Sequence, residues 1–176
     1  MPDIVVNNVG GDMKNKNSFT SYNNYEKIFR LNLGSSIELN NEVIPFLKKK
    51  KWGRICHVSS ISAVENHGTP AYCASKSALN AYVRSLGRQL IKNNIVMSAV
   101  MPGAFITKDG YWDNVRKKNK KKFNYFKKNR IAAMRFGNVE EISNVVAFLC
   151  GKNVSFCAGS TFLVDGGQGR VFTDLR

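Results

Sequence analysis

Long apolar runs are missing from this 176-residue chain: no stretch approaches the ~18 consecutive apolar residues that span a bilayer. A helical membrane span is thereby excluded. Met1-Pro2-Asp3 lacks the basic and apolar regions of a secretory leader, which sets the expectation of a cytoplasmic protein. Paired cysteines are missing too. Cys56, Cys73, Cys150 and Cys157 are scattered without metal-ligand spacing, so no metal is expected and the four read as reduced, buried and inert. Acidic residues are scarce, 12 against 27 lysines and arginines, for a formal charge of +15. Glycine is not scarce, yet no Gly-x-x-x-Gly-x-Gly or Gly-x-Gly-x-x-Gly turn follows an apolar run. The usual cradle for a pyrophosphate at a helix N-terminus is therefore not written in these residues.

What is present describes one globular domain over residues 1–176. A hydrophobic content of 43% is too high for a disordered chain, and the length suffices for one core but not for two ordinary domains. The charge raises the question of a nucleic-acid or membrane partner. Its basic residues concentrate at 48–51 and 116–128, without the arrangement of a known binding module. Asparagine is also abundant, often doubled (Asn7-Asn8, Asn23-Asn24, Asn40-Asn41, Asn93-Asn94). Lysine and asparagine in excess together read as compositional drift in an AT-rich genome. No nucleic-acid and no membrane partner is expected.

The chain is organised around Val58-Ser59-Ser60-Ile61-Ser62 and the segment from Gly68 to Lys76. Arg54-Ile55-Cys56-His57-Val58 reads as a buried strand, and the serines sit where it ends. After Gly68 and Pro70, a helical pattern runs over residues 72–93, with Ala74, Ala78, Leu79, Tyr82, Val83, Leu86 and Leu90 as its apolar positions. Tyr72 and Lys76 are four apart and share a face of that helix. A free tyrosine has a pKa of about 10, too high for efficient proton transfer at neutral pH, and a neighbouring ammonium lowers it. Taken alone, Tyr-x-x-x-Lys also fits an ordinary amphipathic helix, with the ring at the core edge and the lysine in solvent.

Other segments add to it. Asp3-Ile4-Val5-Val6 reads as a strand running into Asn7-Asn8-Val9-Gly10-Gly11. Residues 25–49 read as a long helix that holds Asn32 and is kinked late by Pro45. Ile95-Val96-Met97-Ser98-Ala99-Val100-Met101 is another buried strand, closed by Pro102-Gly103 and followed by Thr107. Residues 108–130 interleave Trp112, Phe123, Tyr125 and Phe126 with lysines, a helical flap with an apolar underside. Asn138 caps a helix opened by Glu140 and Glu141. Ser160-Thr161-Phe162-Leu163-Val164 is a last strand before Asp165-Gly166-Gly167.

In this order the segments resemble the short-chain dehydrogenase/reductase family from Asp3 to about Gly167. They are most similar to its acyl-carrier-protein reductase and sugar-alcohol dehydrogenase branch. The resemblance implies an α/β fold, a partial Rossmann-type doubly wound parallel sheet lacking its first strands. It implies an oxidoreductase that interconverts a small-molecule carbonyl and an alcohol with NAD or NADP. Tyr72 becomes the acid/base, Lys76 its pKa-lowering partner and ribose contact, Ser60 the ligand of the reacting oxygen, and Asn32 the residue that kinks its helix in a water relay. Sequence leaves the choice among Ser59, Ser60 and Ser62 open. Asn8 and Gly10 would border the cofactor, with Val9 crowding the place of a smaller alanine. Pro102, Gly103 and Thr107 would contact its nicotinamide end.

The departure from the family is the cofactor half. The chain begins where about three β-α units of such a fold should already have passed, and Gly10-Gly11 leads into Asp12-Met13-Lys14 rather than an apolar helix. The resemblance therefore implies a homo-oligomer, or a partner supplying the missing half. The alternative is an inactive remnant that keeps the fold's oligomerisation surface. Substrate and the choice between NAD and NADP are not legible.

Overall fold

Four apolar or β-branched segments pair side by side and all in parallel. In the computed structural model, which describes residues 1–13, 19–65 and 67–170, they form one sheet in the order β1-β2-β3-β4. These are β1 (Ile4–Asn7), β2 (Gly53–Val58), β3 (Ile95–Pro102) and β4 (Thr161–Val164). Each parallel connection needs a crossover, and helices supply it. The helices are α1 (Tyr22–Phe29), α2 (Ser35–Lys50), α3 (Pro70–Leu90), α4 (Tyr111–Lys118), α5 (Lys120–Arg130) and α6 (Val139–Leu149).

Side chains alternate across a strand, so each strand feeds two cores. Ile55, Met97 and Ala99 face α2 and α3, where Val43, Ile44, Leu47, Leu79, Val83 and Leu90 close the larger core. Cys56 and Val100 face the other way, onto Ile142 and Leu149 of α6. Helices on both faces of a parallel sheet are the doubly wound arrangement the sequence led us to expect. The exception is β1. Ile4 pairs with Arg54 and Val6 with Cys56, which puts both on the α6 side of the sheet. They are 43% and 44% exposed, whereas Val5 on the opposite face is buried.

The helix expected over residues 25–49 runs from Tyr22 to Lys50 with one irregularity. It passes through Pro45, and the break falls instead at Arg30–Gly34, a π-helical turn around Asn32. There the Ser35 N–H donates to Arg30 O, five residues back. Asn32 Nδ2 donates to Ile28 O (2.9 Å), taking an acceptor the backbone would otherwise use. Thr69 caps α3 by accepting from the Tyr72 N–H (3.3 Å), with Pro70 at the first turn.

Between β1, β2, α2 and α3 lies a buried polar chain that sequence did not announce. Asn7 Nδ2 donates to Asn40 Oδ1 (3.3 Å), and Asn40 Nδ2 reaches Tyr82 Oη (3.1 Å) and His57 Nε2 (3.4 Å). His57 is fully buried, and its other ring nitrogen has no partner. Burial first, and the Lys76 charge second, push its pKa down to about 4. The unfolded chain, whose histidine titrates near 6.5, binds the extra proton first. Stability is therefore full above pH 6.5 and falls as pH drops towards 4, by as much as ~3 kcal/mol. A denaturation series from pH 7 to 4 should show that slope, and His57→Gln should flatten it.

Candidate active site

In a parallel sheet all the C-terminal strand ends lie along one edge, where ligand crevices of α/β folds form. Here that edge carries Asn7 to Gly11 after β1, Ser59 and Ser60 after β2, and Gly103 after β3. The N-terminal turns of α3 deliver Tyr72 and Lys76 to the same edge.

The three serines separate by their partners. Ser59 prolongs the ladder through its N–H to Val100 O (2.8 Å), and its hydroxyl is buried without a partner. Ser62 is buried and donates to His67 O. Ser60 caps a short 3-10 turn (Ile61–Ala63), accepting from the Ser62 N–H at 3.0 Å. Of the three, Ser60 is the one whose hydroxyl acts on the Tyr72 phenol.

Lys76 is buried and donates to Val58 O at 3.0 Å, with its Nζ 5.8 Å from the centroid of the Tyr72 ring. Asn32 binds the backbone of Gly11 twice, accepting from its N–H (3.0 Å) and donating to its carbonyl (2.9 Å). Gly10 is wedged between the two: a Cβ there would lie 2.7 Å from Asn32 Oδ1 and 3.1 Å from Lys76 Nζ. Residues from three separate segments thus meet around Lys76, each held by backbone. Val9, by contrast, points outward at 66% exposure, so the expected crowding does not occur.

The electrostatics differ from the expectation in one respect. Burial raises the Tyr72 pKa, the Ser60 hydroxyl opposes it, and Asp12 and Cys73 raise it further. The expected lowering by Lys76 is not found. Lys76 is itself the perturbed group, brought down to about 8 by burial. Its charge is a cost to the fold. The unfolded lysine keeps its proton to about 10.5, so the penalty is full below pH 8 and disappears as pH rises through 10.5. Lys76→Met, which keeps length without charge, should stabilise the chain at pH 7 by on the order of 1–2 kcal/mol. It should also remove the rise in stability between pH 8 and 10.5, measured by urea denaturation.

Sequence reasoning missed Asp12 and Gln168. Thr69 Oγ1 donates to Asp12 Oδ1 (2.5 Å), tying the loop after β1 to the cap of α3 and setting a carboxylate near Tyr72. The Gly-Gly-Asp run and the Thr-Pro helix start were the available signals. Gln168 is buried and accepts from the Ala104 N–H (2.7 Å), while a Cβ on Gly103 would lie 2.6 Å from Asp165 Cβ. Pro102 and Gly103 are thereby fixed against the loop after β4, with Gly103 N–H on Val164 O (3.0 Å). Asn8 is exposed and Thr107 half-buried, and among the described residues no hydrogen bond joins either to the quartet of Asn32, Ser60, Tyr72 and Lys76. Above the site, α4 and α5 turn Trp112 and Phe123 inward onto Phe136, at 4.9 and 4.3 Å between ring centroids. This is the apolar underside expected of residues 108–130.

Lys76 has three donors, one spent on Val58 O, so the others could hold the hydroxyls of a nicotinamide ribose. A pyrophosphate has no glycine-rich turn to receive it within these 176 residues.

Comparison with known proteins bears on the whole chain. A family model described as enoyl-(acyl carrier protein) reductase matches residues 1–168. The 3-oxoacyl-[acyl-carrier-protein] reductase FabG of Buchnera aphidicola subsp. Schizaphis graminum is 34% identical over 168 residues, which cover 94% of this chain and 66% of that protein. FabG of Aquifex aeolicus is 32% identical over 167 residues, covering 94% and 65%. A 3-oxoacyl (acyl-carrier-protein) reductase from Agrobacterium tumefaciens C58, solved with NADP bound, superposes with a TM-score of 0.86 at 25% identity. That match covers 94% of this chain and 64% of the other. L-sorbose reductase from Gluconobacter frateurii, complexed with NADPH and L-sorbose, gives 0.85 at 26%, covering 96% and 66%. The chain spans about two thirds of the length of these relatives.

Proposed function

The chain belongs to the short-chain dehydrogenase/reductase family, and from that premise we propose that it carries the catalytic part of an NAD(P)-dependent oxidoreductase interconverting a carbonyl and an alcohol. The observation that carries this reading is the meeting of Ser60 with Tyr72 beside a buried Lys76 that Gly10 and Asn32 enclose. We assign the roles on position and chemistry. Ser60 holds the substrate oxygen with a hydroxyl beside Tyr72. Tyr72, kept neutral by burial, gives its proton to that oxygen in the reductive direction. Lys76 holds a ribose and, when protonated, stabilises the phenolate left behind. Asn32 locks the Gly10-Gly11 loop against Lys76 and thereby sets its place. When bound, a reduced nicotinamide supplies the hydride that the carbonyl carbon accepts.

Two of the solved relatives hold NADP and NADPH, which supports a dinucleotide of this class. The pyrophosphate grip comes from a segment outside these 176 residues, in the same polypeptide or in a partner. A homo-oligomer in a reducing, cytosolic setting suits the free cysteines and the apolar surfaces at β1, α2 and α6. Small carbonyl compounds are the substrate class. The test is complementation: the chain is co-expressed with the nucleotide-binding third of a relative, and NAD(P)H oxidation is followed with a panel of 3-oxoacyl and keto-sugar substrates. Carbonyl-dependent oxidation is expected. A folded, dinucleotide-binding assembly with no turnover on any carbonyl would overturn the reading in favour of an inactive remnant.

A further inference from the structure

The sequence presented the four cysteines as buried and inert, and the structure corrects this for three of them. Cys56 is fully buried in β2, whereas Cys73, Cys150 and Cys157 are partly exposed. Two of the four meet. Cys56 lies in the core on the α6 face of the sheet, and Cys150, the residue that ends α6, packs against it. The two thiols are close enough that each acts on the titration of the other. Beside them is Arg54, two residues before Cys56 on the same face of β2. Its guanidinium is buried and clamps the backbone immediately after Cys150: Nε donates to Gly151 O (2.9 Å) and Nη2 to Lys152 O (3.3 Å). The helix end that bears Cys150 is thus anchored on an arginine whose position places positive charge next to the thiol.

We propose that Cys56 and Cys150 form a peroxide-reactive thiol pair, with Cys150 the attacking thiolate and Cys56 the resolving thiol. The asymmetry follows from the surroundings. The neighbouring Cys56 thiol, helped by the Arg54 charge, holds the Cys150 thiol below the ordinary cysteine range. The Cys150 thiol and burial together push Cys56 up, so the fully buried Cys56 keeps its proton. Cys150 is also the partner that solvent reaches. Its sulfur attacks one oxygen of hydrogen peroxide, the O–O bond breaks, and hydroxide leaves as Cys150 becomes a sulfenic acid. The Cys56 sulfur then displaces the sulfenic oxygen, which departs with the Cys56 proton as water. One peroxide is reduced to two waters as two thiols become one disulfide. The product staples the end of α6 to β2, across the sheet from α2 and α3, and leaves Tyr72 and Lys76 untouched.

The inference is independent of dinucleotide binding and is tested on the chain as it stands. The reduced chain is titrated with hydrogen peroxide, digested and mapped by mass spectrometry, with Cys73 and Cys157 as internal controls. A Cys56–Cys150 link that thiol reductant reverses is expected to form first, about tenfold faster than oxidation at either control. Cys56→Ser should trap the sulfenic acid at Cys150, where dimedone labels it. Should that variant fail to fold, alkylation of the wild-type chain with iodoacetamide across pH 5–10 gives the same information. Cys150 should then be modified at lower pH than Cys73 and Cys157. Preferential oxidation of Cys73 or Cys157, or a Cys150 alkylation profile no different from theirs, would overturn the proposal.

Discussion

Tyr72→Phe is expected to lower carbonyl-reduction turnover in a complemented assembly by ~10²–10⁴-fold while leaving dinucleotide affinity nearly unchanged. The substitution keeps the ring that packs at the start of α3 and removes only the transferable proton. Tyr72 N–H on Thr69 Oγ1 is a backbone bond and survives. The Ser60 hydroxyl keeps its bonds within the turn, accepting from Ser62 N–H (3.0 Å) and donating to Ser62 Oγ (3.1 Å), so the loop should not move. Lys76→Ala should behave differently, lowering both turnover and affinity, because the lysine serves the phenolate and the ribose. Steady-state rates with parallel dinucleotide titrations check both variants. A Tyr72→Phe assembly that keeps more than a tenth of the wild-type rate removes Tyr72 from the acid/base role.

Self-association of the isolated chain is the second large effect. β1 pairs with β2 alone among the described strands, and its other edge presents unpaired backbone. On that strand Ile4 and Val6, on the α6 face of the sheet, are also 43% and 44% exposed. An exposed β-branched edge is a template for another chain, and the apolar face beside it adds contact area. The formal charge of +15 opposes association, yet salt screens charge beyond about 8 Å at physiological strength, while edge pairing acts at contact. Sedimentation should therefore show oligomers that grow with added salt. Ile4→Lys with Val6→Lys should shift the distribution towards the smallest species, since lysine on an edge strand disfavours pairing. A cooperatively folded monomer of the unmodified chain in high salt would contradict this.

Much of the scaffold could be read from local pattern, because parallel strands buried on both faces are short continuous apolar runs between turn residues. Ile95 to Met101 is such a run, and helical spacing put Tyr72 and Lys76 on one face, although only the resemblance to the family gave them a role. What was not legible depended on contacts distant in sequence. Choosing Ser60 over Ser59 and Ser62 required knowing where the β2 ladder ends, which is set by pairing with Val100 on β3. The raised pKa of Tyr72 depends on Asp12, sixty residues earlier, and on burial that no spacing reports. His57 looked like one more apolar strand position and proved to join Asn40 and Tyr82 inside the protein. Arg54 was read only as the first residue of a buried strand. Its role emerges only once the end of α6 is folded over it.

The central claim is that these residues hold the reacting end of a dinucleotide site while the pyrophosphate grip lies elsewhere. The most direct measurement is calorimetric titration of NADPH and NADH into the 176-residue chain alone and into the complemented assembly. Backbone N–H groups and a helix dipole normally receive the pyrophosphate, and no glycine-rich turn of these residues offers them. The account predicts no detectable binding by the chain alone and binding on the order of micromolar once the nucleotide-binding segment is supplied. Micromolar binding of either dinucleotide by the chain alone would contradict it.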